Sequence, residues 1–91
     1  MWAKWKKPGA IYYDITWTGF CGTAPPTEMD NVFEIVKQAR DAAADFVTSA
    51  LSAGRVIHGF EVDNACRAVI DAAGYGEYFV HRTGHSIGED V

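Results

Sequence analysis

The longest pattern in the chain is helical. Between positions 27 and 52, apolar side chains recur three and four residues apart: Val32, Ile35, Val36, Ala39, Ala43, Phe46, Val47, Ala50 and Leu51. Glu34, Lys37, Gln38, Arg40, Asp41, Asp45 and Thr48 lie mostly off that stripe. This spacing places the apolar positions on one face and predicts a helix with one side in a core, not a cofactor-binding segment. Thr27 is expected to cap it, with Asp30 in the third helical position as in a capping box. Glu28 and Asp30 also suit the positive end of the helix dipole, and Gly54 supplies the stop. A shorter stripe follows at about 60–73, with Val62, Ala65, Cys66, Val69 and Ala72 inward, and Gly74 ends it.

Upstream the period changes to two. Along 10–20, Ile11, Tyr13, Ile15 and Trp17 alternate with Tyr12, Asp14, Thr16 and Thr18. β-branched and aromatic residues in strict alternation predict a strand. Pro8-Gly9 marks a turn, so residues 1–7 and 10–20 are expected to pair as an antiparallel hairpin. Residues 19–26, GFCGTAPP, read as loop. At the far end, Gly74-Tyr75-Gly76 reads as a turn and 77–81 as a returning strand. The order hairpin, helix, helix, strand predicts an α+β architecture in one domain, 1–91, with two antiparallel helices over one face of a curved sheet.

Composition narrows the class. Ninety-one residues, 48% hydrophobic and 22% charged, suit a small globular domain. A net charge of −4 removes a bulk electrostatic case for nucleic acid. Lys4, Lys6 and Lys7 form the one basic cluster and read as a solvated strand end. No apolar run reaches transmembrane length, so no membrane partner is expected. The first residues, MWAKWKKPGA, lack the apolar core of a signal peptide. Cys21 and Cys66 are far apart and are expected to be reduced, with Cys66 buried, which points to the cytoplasm.

Chemistry concentrates at 79–88, FVHRTGHSIG. His81 and His85 are four residues apart, with Gly84 directly before the second and Gly88 three after it. Two histidines in a glycine-rich loop are ordinarily surface residues. What changes this reading is Asp14. Aspartate is depleted in strands, yet Asp14 sits between Tyr13 and Ile15. Either its face is open to solvent, or Asp14 lines a site with Thr16 two residues on along the same face. His58, before the second helix, reads as structural or solvated.

These motifs, in order, carry a resemblance. YYDITWTGF, a long helix, a GFEVD helix start and AGYGEYFVHRTGHSIG followed by EDV resemble the metal-dependent Xaa-Pro peptidases. These form the prolidase and aminopeptidase P branch of the creatinase/methionine aminopeptidase superfamily. The resemblance runs over essentially all 91 residues and implies a partial "pita-bread" fold. It implies that Asp14 is a carboxylate bridging two divalent metals (Mn, Co, Zn or Fe), and that His85 is the single histidine ligand. It implies that His81 is a pocket histidine contacting substrate, a peptide with proline in the second position. Thr16 then suits a role orienting Asp14 by a hydrogen bond. Carboxylates with one imidazole suit such ions, which together activate a shared hydroxide.

The chain also departs from that pattern. The family uses two aspartates, one histidine and two glutamates, with a further histidine that assists the reaction. Residues 1–13 hold no acid, and Glu89 and Asp90 are too close to His85 to stand for the distant glutamates. The expectation is therefore a piece of a peptidase domain, cut inside both ends of its site and inactive by itself, with no catalytic residue assigned. The alternative is a non-catalytic binding or structural module of the same descent. The isolated fragment is expected to self-associate, because its helices have an apolar face and the strand partners of the complete domain are missing.

Overall fold

The computed structural model describes residues 1–90. They divide into two compact units, one of Met1–Ala24 with the residues from His85 on, and one of Pro25–Gly84.

Two helices build the second unit, α1 at Thr27–Ser52 and α2 at Gly59–Ala72. The short connection 53–58 folds α2 back on α1. Their shared core is Ala39 and Ala43 from α1 with Cys66 and Ile70 from α2; Ile35, Val62, Val69, Tyr75 and Phe79 pack around it. The alanines are small and let the helix backbones approach closely. Burial of Cys66 agrees with the sequence expectation, whereas Ile70, four residues on, belongs to the buried face and is absent from the predicted stripe. Much of α1 stays in water: Val36 and Leu51 of the stripe are exposed, as are Met29 and Phe33 outside it. Length explains much of this. At 1.5 Å per residue α1 runs about 39 Å and α2 about 21 Å, so the shorter helix cannot cover the longer.

Both helices stop as predicted. Gly54 adopts φ +71° and Gly74 φ +88°. The Gly54 and Arg55 amides donate to the Leu51 and Ala50 carbonyls, and the Gly74 and Tyr75 amides to the Asp71 and Ile70 carbonyls. These are paired Schellman bonds, which satisfy carbonyls a helix end otherwise leaves open. The start of α1 differs from expectation. Pro26, not Thr27, is the N-cap, and no side chain caps it. Extended backbone at Pro26 (φ −57°, ψ 148°) lets Thr27 already be helical, so its hydroxyl is one residue too late to cap. At α2 the Glu61 carboxylate accepts the His58 amide at 2.7 Å, and the His58 ring stacks on Phe60.

The predicted strand at 77–81 does not form. Gly76–Tyr78 is a single 3-10 turn, closed by the Tyr78 amide on the Tyr75 carbonyl and the Phe79 amide on the Gly76 carbonyl. β-propensity at Tyr78, Phe79 and Val80 acts only through a paired strand, and here a local turn forms instead. The chain beyond is tied to α2. Arg67 Nη1 donates to the Phe79 carbonyl at 2.8 Å and Nη2 to the His81 carbonyl at 3.0 Å.

In the other unit, β1 (Trp2–Ala3) and β2 (Tyr13–Asp14) pair antiparallel, Trp2 opposite Asp14 and Ala3 opposite Tyr13. The predicted hairpin exists, but its ladder is much shorter than the alternation suggests. Gly9, at φ +76°, sits in the turn between them. Further bonds come from outside the ladder: the Ile15 amide donates to the Met1 carbonyl, and the Tyr12 amide to the Gly88 carbonyl at 3.0 Å.

Candidate metal centre

The site is assembled on the hairpin by that last bond. Tyr12 N–H to Gly88 C=O lays the C-terminal segment along β2, and Lys4 Nζ donates to the Glu89 carbonyl at 2.6 Å. The alternation of β2 then decides what meets what. Tyr12 and Asp14 share a face. The Tyr12 ring meets Trp2 edge-on and carries the Lys4 ammonium 4.5 Å from its centroid. On Trp2 the His85 ring stacks, with centroids 5.3 Å apart and planes inclined by 29°. The opposite face, with Ile11, Tyr13, Ile15 and Trp17, is open to water; Trp17 is 91% exposed.

Asp14 and His85, remote in sequence, converge. His85 Nε2 lies 3.6 Å from Asp14 Oδ2. The other ring nitrogen, Nδ1, is 3.0 Å from the Ser86 carbonyl. A carbonyl only accepts, so Nδ1 is the donor in that bond, and in the neutral tautomer it selects the Nε2 lone pair would lie on the Asp14 side. A carboxylate oxygen and an imidazole nitrogen on one patch are a donor pair that a proton or a metal ion could share. Ligand bonds to such ions are about 2.0–2.2 Å for nitrogen and oxygen, so the observed spacing lets both atoms touch one ion. The Met1 amino group stands 3.3 Å from Asp14 Oδ1 and donates to the Ile15 carbonyl at 2.8 Å.

The donor set is partial. Among the described residues no group of three or more His, Cys, Asp or Glu side chains is placed to hold a metal. One carboxylate and one imidazole would fill only two positions of an ion that takes four or more ligands, and would not by themselves hold two dications together. Thr16 is exposed and is not among the hydrogen-bond partners of Asp14; the amino group of Met1 and the His85 ring are its neighbours. The chain bends at Thr83, directly before Gly84, and the Gly88 backbone approaches Tyr12, but neither glycine is needed for its conformational freedom. Neither has positive φ, and a Cβ on either meets nothing within 4 Å among the described residues. A surface depression of about 340 Å³ at the hairpin turn, lined by Trp5, Lys7, Pro8, Gly9 and Ala10, includes none of the predicted site residues.

His81 belongs to the helical unit. It is exposed, and its carbonyl is held by Arg67. Asp63, one helical turn before Arg67, receives the Arg67 Nε at 3.2 Å on Oδ2. On Oδ1 it receives both the Thr83 amide at 2.7 Å and the Thr83 hydroxyl at 2.8 Å. These bonds, the Thr83 amide first, hold the Asp63 carboxyl below the usual carboxylate range. Asp63 and Arg67 are not among the site residues expected from the sequence. The available signal is an acid and an arginine at i and i+4 in GFEVDNACR, directly upstream of the histidine motif.

Comparison with known proteins fits these features. Residues 3–91 match the model of metallopeptidase family M24, and the chain belongs to that family. An Xaa-Pro dipeptidase of Lactobacillus delbrueckii subsp. lactis is 39% identical over 67 residues, covering 74% of this chain and 17% of that protein. A putative Xaa-Pro aminopeptidase of Mycoplasma pneumoniae is 35% identical, over 91% of this chain and 23% of its own length. An Xaa-Pro dipeptidase of Pyrococcus furiosus is 32% identical, over 91% of this chain and 23% of its own length. The chain thus spans about a sixth to a quarter of these relatives. No solved structure matches it. The resemblance carried by Asp14 and the histidine motif is to the same group of peptidases.

Proposed function

We propose that the chain is a segment of a dinuclear-metal peptidase that cleaves the bond before proline, and that Asp14 and His85 are the metal ligands this segment supplies. The observation that carries this is the 3.6 Å approach of His85 Nε2 to Asp14 Oδ2, with Nδ1 turned to the Ser86 carbonyl. Divalent ions of the Mn, Co, Zn or Fe type supply Lewis acidity and a hydroxide at neutral pH when bound. In this reading the segment belongs to a pita-bread fold, and its substrate is a peptide with proline in the second position. Asp14 contributes anionic charge from β2. His85 contributes a neutral nitrogen whose tautomer is set by Ser86 and whose ring is oriented by Trp2. His81 contacts the substrate.

The 91 residues alone are not expected to turn over. The test is proline release from Gly-Pro or Ala-Pro with added Mn²⁺ or Co²⁺, with metal content measured in parallel. It compares residues 1–91 with a longer polypeptide that also carries the family's remaining acids. In the longer form, Asp14→Asn should lower activity about a hundredfold or more. His85→Ala should lower metal retention and activity together, and His81→Ala should lower activity with metal content kept. Unchanged activity in Asp14→Asn would sink the ligand assignment, and turnover by residues 1–91 would overturn the account of their inactivity. The partial donor set favours a second reading, a non-catalytic binding module; a longer form that holds no metal and releases no proline would establish it.

Self-association belongs to the same proposal, with a second copy covering the open hairpin face of Ile11, Tyr13, Ile15 and Trp17. Sedimentation at several concentrations should show mass rising with concentration. A concentration-independent monomer counts against it.

A further inference from the structure

Residues 79–83 have no regular secondary structure, so their backbone groups need partners from elsewhere or from water. The structure supplies them from one face of α2. Asp63 and Arg67, at i and i+4 with the acid N-terminal, form an ion pair in the orientation a helix favours. The pair is then used outward. The guanidinium has five donors in a planar fork. One goes to Asp63, and two others reach the Phe79 and His81 carbonyls. Its plane also lies over the Phe79 ring, 4.3 Å from the centroid. Asp63 takes the other end of the segment through the amide and hydroxyl of Thr83. The segment is therefore gripped on both sides of His81, at 79, 81 and 83, by two side chains on a rigid helix.

We propose that Asp63 and Arg67 are positioning residues. They fix the backbone that presents His81, so that its exposed ring starts from one direction instead of sampling many. This deepens the reading of His81 as a substrate contact and rests on it for its functional meaning. The clamp itself can be tested without any peptide cleavage. The geometry demands both members. Lysine at 67 is a single ammonium and cannot span two carbonyls while also pairing with Asp63, so the conservative change should not rescue. Asparagine at 63 keeps one acceptor oxygen but lacks the charge that strengthens both Thr83 bonds.

The experiment is amide hydrogen exchange and backbone NMR relaxation on residues 1–91. In the unsubstituted chain the Thr83 amide should be protected and the His81 amide ordered. Asp63→Ala should speed Thr83 exchange roughly tenfold or more, and Asp63→Asn by less. Arg67→Met and Arg67→Lys should both raise fast motion at 79–81. Amides within both helices, including Ala43 and Cys66, should keep their protection in every variant, which separates a local clamp from general loss of folding. An unprotected Thr83 amide in the unsubstituted chain, or one whose exchange Asp63→Ala leaves unchanged, overturns the proposal. So does Arg67→Lys with motion at 79–81 like that of the unsubstituted chain. Failure of proline release in the longer polypeptide leaves these results untouched, so the two readings fail separately.

Discussion

In the helical unit the side chains of Ala39, Ala43, Cys66 and Ile70 are withdrawn from water, whereas in the hairpin unit Ile11, Tyr13, Ile15 and Trp17 all face it. The first unit rests on apolar burial, supplemented by capped helix ends and the Asp63–Arg67 clamp. Within the second, no described residue is buried. Order there comes from a few backbone bonds, the Trp2–His85 stack and the Lys4–Tyr12 contact. The difference follows from geometry. Two helices folded back on each other complete each other's apolar stripe, while a two-stranded ribbon has two faces and covers neither. The candidate ligands lie on the less buried unit, and His81 lies on the one with a core.

Substitutions break this comparison in a definite order. The largest effect should come from Ile70→Ala. Ile70 is 6% exposed, and removing a buried aliphatic side chain costs about 2–5 kcal/mol. For a unit this small, that should be a large share of its stability, visible as lost helical signal on heating. Gly74→Ala should come next. The φ of +88° is left-handed, where a Cβ costs about 1–2 kcal/mol, and thermal melts should show α2 losing its clean end.

An acid effect sharpens the contrast. Asp63 has its carboxyl held below the usual range by Thr83 and Arg67. A depressed folded value means the carboxylate stabilises the fold above the ordinary carboxylate pKa of about 3.9. That contribution is lost as the pH falls from there through the lowered folded value. A pH titration of helix stability should show this loss in the unsubstituted chain and less of it in Asp63→Asn. It should be smaller than the two effects above, because water screens a pair near the surface. The smallest effect should be Ile15→Ala. At 47% exposed it should change stability by no more than about 0.5 kcal/mol when the chain is dilute. A loss matching that of Ile70→Ala would show that the hairpin face is covered in solution.

Local physics makes much of the helical unit legible in the residue pattern. An apolar spacing of three and four has few alternatives over such a length, and glycine past the last turn is the residue that adopts positive φ without penalty. The α1 and α2 bounds, both stops and the burial of Cys66 are accordingly readable. The cap at Pro26 is not, because one residue of register separates a capping threonine from a helical one. Ile70 escapes the pattern because the direction of a stripe depends on the partner helix. The hairpin is legible as alternation, but ladder length depends on how much partner strand is present, which alternation does not encode.

The strand expected at 77–81 shows the limit most directly. Tyr78, Phe79 and Val80 carry β-propensity, yet propensity in a strand is mostly packing against neighbours, and here Phe79 packs against Arg67 and the helix core instead. The sequence determined which residues could do chemistry, since Asp14 in an alternating stretch and His85 in a glycine-flanked motif stand out by type. Only the tertiary structure decided that they meet. A bond from the Tyr12 amide to the Gly88 carbonyl and a stack on Trp2 bring His85 to the face that β2 gives Asp14. Contacts between residues so far apart depend on how the chain closes on itself, and no local pattern in either segment specifies that closure.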